Sequence, residues 1–173
     1  AFFTRIGKRR ANLTLTTMIF RFYMIQRIQT LYLLLAAIAL GVQFISPYFT
    51  VPIGIDSARV PDLVDGMYNI FDRPWLIYMT SFAALMVIIA IFMFRNRVIQ
   101  SRFTSVGIFT ASVLTVYMGA QFFPIANVAG DLMEQLSYRP GFFMPFLSAL
   151  LMWLANRAIR RDHMMIRSAE RLR

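Results

Sequence analysis

The chain has 173 residues, 58% of them hydrophobic, with no cysteine and a formal net charge of +10 carried almost wholly by arginine. That length suits one domain, and the missing cysteines exclude disulfides, thiolate metal sites and cysteine nucleophiles. A mean hydropathy of +0.59, with the apolar residues in long blocks rather than short periodic patterns, excludes an ordinary soluble domain.

Residues 1–23 are basic and rich in Thr and Arg. They read as a disordered or spurious extension ahead of a domain, 24–173, that starts at Met24. The other reading makes them a basic arm for anionic lipid. The first apolar block, Leu31 to Phe49, is broken only by Gln43, Ser46 and Pro47. Arg27, the leucine run and Ala37-Ile38-Ala39 imitate a cleaved signal, but the apolar run continues to Ile45, past the mock cleavage site. The second block, Leu76 to Phe94, follows Pro74, which suits a helix start. The third, Ser105 to Phe123, is closed by Pro124. The fourth, Phe142 to Ala155, opens after Pro140-Gly141 and reaches Arg157 if that guanidinium snorkels to the interface. A crossing needs about 20 apolar residues. The blocks predict four spans, at about 30–49, 75–94, 104–123 and 141–158.

Positive charge stays on the cytoplasmic side of a membrane protein. Of the 18 Lys and Arg residues, only Arg59, Arg73 and Arg139 fall in the connections after the first and third blocks. Those connections also hold Asp56, Asp62, Asp65, Asp72, Asp131 and Glu134. The other basic residues lie before the first block, in the loop Arg95–Arg102, and in the tail from Arg157. The alternation predicts an all-α bundle of four transmembrane helices, both termini cytoplasmic, with a basic helical extension at the C-terminus. Confinement of charge to block ends argues against a nucleic-acid partner.

Gly107, Ala111, Thr115 and Gly119 recur every four residues in the third block. Small residues let helix backbones approach in lipid, so this row reads as packing inside the bundle, with Ala37 and Gly41 as the partner face. A dimer interface is the other use of such a row. Gln43 and Gln121 are the polar side chains that stand out within spans. They read as an interhelical hydrogen bond worth about 0.6 kcal/mol, or as a polar ligand site joined by Tyr117 and Asn127. No span contains Asp, Glu, Lys or His, which argues against a proton-coupled pump. The four aspartates of the outer loop do not match a calcium loop. His163 is the only histidine, and without cysteines, a second histidine or a nearby acid pair it makes no metal or catalytic centre. Tyr68, Phe71 and Trp75 are expected to pack the outer loop onto the bilayer edge. Ala155, Ile159, Ile166, Ala169 and Leu172 give the tail helix an apolar side.

MIQRIQTLYLLLAAIAL (Met24–Leu40) and LANRAIRRDHMMIRSAERLR (Leu154–Arg173) resemble the two ends of an uncharacterised bacterial family of short four-helix membrane proteins, catalogued as a domain of unknown function. The step Arg139-Pro140-Gly141-Phe142 is similar as well. Asp162-His163 departs from it, since two acidic residues are expected there. The resemblance implies a fold and an inner-membrane location, and no activity.

The sequence therefore predicts a non-enzymatic inner-membrane scaffold or accessory subunit, without catalytic, metal or cofactor residues. Its expected partners are the bilayer, anionic lipid headgroups at the arginine-rich face, and a protein partner or a second copy. The alternative is a small transporter or channel component with its polar site near Gln43 and Gln121.

Overall fold

The computed structural model describes residues 28–50, 65–129 and 137–171, with side chains described over 28–50, 65–121 and 137–164. Residues 1–23 lie outside the described residues, as do Asp56, Asp62, Asp131 and Glu134. Four helices make up most of the fold: α1, Ile28–Val42; α2, Pro74–Phe92; α3, Arg97–Ala129; and α4, Pro140–Arg171. Pro74, Asn96 and Pro140 mark the starts of the last three. Pro74 and Pro140 occupy the first position, where the missing N–H has no partner to lose. The Asn96 side chain caps α3 by accepting from Ile99 N–H at 3.3 Å.

Each helix buries a row whose spacing alternates four and three residues. In α1 it is Gln29, Leu33, Ala36, Leu40 and then Gln43 just beyond the end; in α2, Leu76, Thr80, Ala83, Val87 and Ala90. In α3 it runs Gln100, Thr104, Gly107, Ala111, Leu114 and Met118; in α4, Ser148, Met152, Ala155, Ile159 and Asp162. Seven residues per two turns is the repeat of left-handed bundles crossing near +20°. The middle of the rows is small or slender, and one apolar cluster joins Leu33 and Ala36 of α1 to Ala83 and Val87 of α2, Ala111 of α3, and Met152 of α4. The bulky apolar side chains point the other way: Tyr78, Phe92, Phe109 and Val116 are each more than 70% exposed. A bundle with small residues inside and large apolar ones outside matches packing in lipid, where burying bulk gains nothing and close approach gains dispersion.

Three helices are long and apolar enough to cross a membrane: Pro74–Phe92, Arg97–Gln121 and Pro140–Met164. The described part of α1 is shorter, roughly 22 Å at 1.5 Å per residue. It stops at Val42, well before Phe49. There the chain turns through Phe44 N–H→Gly41 C=O and Ile45 N–H→Val42 C=O bonds and meets Pro47, which cannot continue a helix. Pro124 does not close α3, which continues to Ala129; a proline in a helix lacking competing turn chemistry kinks it rather than ending it.

An all-α reading misses one element. A three-stranded antiparallel sheet at one end of the bundle joins β1 (Phe49–Thr50), β2 (Met67–Tyr68) and β3 (Ser137–Tyr138), in the order β2-β1-β3. Two-residue strands are too short to stand alone. Their rings hold them: Phe49 faces Tyr68 and Tyr138 in register, with centroids 6.0 Å from both and 5.1 Å from Phe142 of α4. Aromatic pairs contribute about 0.5–1.5 kcal/mol each beyond their burial. Gly66, at φ 72°, supplies the left-handed turn into β2. Gly141 lets α4 touch the chain below β1: a Cβ there would lie 2.5 Å from Ser46 O and 2.6 Å from Pro47 O. That contact is a physical reason for the glycine in the Arg139–Phe142 step.

Candidate functional site

Polar groups collect at the two ends of the seam. At the sheet end, Gln43 is buried and accepts at Oε1 from Tyr48 O–H at 3.2 Å. Its amide nitrogen has no partner among the described residues. Gln121 is half-buried, and no hydrogen bond joins it to Gln43 among the described residues, so the two glutamines do not form the expected pair. Tyr117 packs its ring against Trp75 instead, at 6.0 Å; the Asn127 side chain lies outside the described ones. Tyr48 also belongs to a buried apolar cluster with Phe49, Tyr68, Leu76, Leu114 and Met118. Tyr68 is buried in this cap rather than set at a bilayer edge, while Phe71 and Trp75 are exposed. Two loop aspartates build turns: Asp65 accepts from Met67 N–H at 3.1 Å, and Asp72 accepts from Asn69 N–H.

The opposite end is more strongly polar. Asp162 of α4 is wholly buried, and its Oδ2 lies 2.5 Å from Nη1 of Arg97, whose side chain is 16% exposed. Neither atom has an aligned hydrogen-bond partner among the described residues, so charge rather than hydrogen-bond geometry holds the contact. One turn further in, Asn156 bridges the same two helices. It accepts from Ser101 Oγ at 2.7 Å and donates to Ser105 Oγ at 3.1 Å. Gln29 of α1 and Gln100 of α3 are buried at this level. The sequence reading placed no acid inside a span; the row Ala155, Ile159, Asp162 was the signal that could have found this one. His163 is exposed, and among the described residues no three His, Cys, Asp or Glu side chains gather to hold a metal.

Beside this latch, α3 and α4 enclose an open groove of about 650 Å³. Ser105, Asn156, Arg157, Arg160 and Arg161 supply its polar wall. Ile108, Trp153 and Met164 supply its apolar wall. The Arg157 guanidinium lies over the Trp153 ring, 5.6 Å from its centroid, an arrangement that attracts a cation to the ring face.

A family model, described as Domain of unknown function (DUF4293), matches residues 25–172. The chain belongs to that family. The match runs from just before α1 to the end of the tail, so the DUF4293 domain includes the sheet, the latch and the groove alike. No curated protein and no solved structure matches the chain.

The small-residue row of α3 is partly used. Gly107 is buried, and a Cβ on it would meet Met152 Sδ at 2.9 Å, Met86 Cβ at 3.7 Å and Val87 Cγ2 at 3.8 Å. Packing inside the bundle is its role, against α2 and α4. Gly41 and Gly119 have no described residue within 4 Å of a built Cβ, so these two glycines do not pack against each other, whereas Ala37 packs against the cluster that holds Ala111.

Proposed function

We infer that this DUF4293 protein is a multi-pass protein of a bacterial inner membrane, with α1 as a fourth crossing and both termini cytoplasmic. Its role is that of a non-enzymatic scaffold or accessory subunit. The observation that carries this reading is the difference between the two ends. The sheet ties the α1–α2 and α3–α4 connections together at the acidic end, as alternate crossings require. The basic end gathers the α2–α3 connection and the helical tail, locked together by Arg97 and Asp162.

The latch supports a docking role because it holds the start of α3 and the extension of α4 as one surface, with Arg102, Arg160, Arg161 and His163 exposed on it. A transporter reading finds less support. At its supposed polar site Gln43 spends its carbonyl on Tyr48, and no hydrogen bond joins it to Gln121 among the described residues.

The chain has no native cysteine, so single cysteines can carry a photo-crosslinker in cells. Arg102→Cys and His163→Cys should each yield one discrete adduct with another membrane or cytoplasmic protein. Val116→Cys, on the exposed apolar face of α3, should yield none. No adduct from either basic-end position, or only adducts between two copies of the chain, overturns the accessory-subunit reading.

A further inference from the structure

We propose that the groove between α3 and α4 is a site for one anionic glycerophospholipid, with its phosphate held by Arg157, Arg160 and Arg161. The proposal rests on the membrane placement inferred above and adds to it a defined ligand and residues.

Phe146, Leu150, Trp153, Arg157, Arg160 and Met164 are all exposed and alternate in steps of four and three along α4. They form one face of the helix. That face is apolar for its first two turns, aromatic at Trp153, cationic at Arg157 and Arg160, and ends on Met164. It therefore reproduces along 1.5 Å steps the order of acyl chain, glycerol and phosphate in a bilayer leaflet. Three guanidinium groups within five residues repel one another without an anion between them. The one acid on this helix whose side chain is described, Asp162, is buried toward Arg97 and faces away. Among the described residues Arg160 and Arg161 make no ion pair, and Arg157 has only the Trp153 ring.

The groove floor is suited to the same ligand. Asn156 gives one N–H to Ser105 and its carbonyl to Ser101. The amide has two N–H groups, and the second is uncommitted where Asn156 lines the groove. Guanidinium forks bind phosphate oxygens with two parallel hydrogen bonds, and an amide N–H adds a second kind of donor. A soluble phosphate would use the arginines alone. A lipid also uses Ile108 and Trp153 of the groove wall and the apolar face leading into it, which is why the lipid is the favoured occupant.

Trp153 reports the site directly. With Trp75→Phe as background, it is the sole tryptophan. The full chain is reconstituted into phosphatidylcholine vesicles containing brominated phosphatidylglycerol or brominated phosphatidylcholine, and quenching is compared. The expected preference for the anionic lipid is about tenfold or more, falling several-fold toward parity in Arg160→Gln/Arg161→Gln and returning only in part in Arg160→Lys/Arg161→Lys, which keeps the charge and loses the fork. Both arginines are exposed, and equal quenching of the Gln variant by brominated phosphatidylcholine verifies that it remains inserted. Parity in the background protein, or a preference unchanged by Arg160→Gln/Arg161→Gln, overturns the site. Abolition of the preference by millimolar inorganic phosphate overturns the lipid as occupant. No quenching by either brominated lipid would instead defeat the membrane reading on which the site rests.

Discussion

Asp162 follows Ala155 and Ile159 by seven and three positions, so helix geometry carries its carboxylate to the seam with them. A buried carboxylate is costly unless an opposite charge meets it, and Arg97 does so at 2.5 Å. Removing one member of such a pair costs about 3–5 kcal/mol when the other stays buried and uncompensated. The two members are not equivalent. Arg97 is 16% exposed while Asp162 is fully enclosed, so a lone arginine can reach water and a lone aspartate cannot. Arg97→Gln should therefore cost about 3–5 kcal/mol and Asp162→Asn distinctly less, with the double variant recovering part of the loss. Thermal unfolding in mild detergent measures all three. An Arg97→Gln protein melting with the wild type would mean that the pair contributes nothing to stability.

At the scale of the element, the difference between a four-residue and a seven-residue repeat decides which glycines matter. A step of four residues advances 400° at 3.6 residues per turn, so a strict four-residue row drifts about 40° per step around the helix. Gly107 and Ala111 start on the seam, and Thr115 and Gly119 have rotated off it. Leu114 and Met118 take their places. The drift is arithmetic and was available from residue spacing; what concealed the seam is that a helix apolar on all sides offers several rows at once. Gly107→Leu should lower the yield of folded protein and its melting temperature, because even a Cβ there presses on Met152 and overpacking typically costs about 1–3 kcal/mol. Gly119→Leu should fold with wild-type yield, since no described residue lies within 4 Å of the added carbon. Size-exclusion profiles and melting curves separate the two, and equal damage from both would contradict the seam assigned here.

For the molecule as a whole, the sheet puts the α1–α2 and α3–α4 connections at one end of the bundle, independently of arginine placement. The sheet brings residues near position 50 together with residues near 67 and 138, which an odd crossing between them would forbid. Impermeant maleimide applied to intact cells should label Asp65→Cys at the sheet end and leave Arg102→Cys unlabelled until the membrane is opened. Labelling of both before opening would overturn the topology. The helices, their proline starts and the basic and acidic ends were legible in the residues because each depends on local chemistry: run length, the missing proline N–H, and the cost of moving a guanidinium across a bilayer. The tertiary structure alone decided the rest. Phe49, Tyr68 and Tyr138 are far apart in sequence and their strands too short to carry a period, so only their meeting reveals a sheet. Likewise Arg97 and Asp162, or Ser105 and Arg161, acquire a role only when α3 and α4 pack side by side, because charge and hydrogen bonding act over a few ångströms of space and not along the chain.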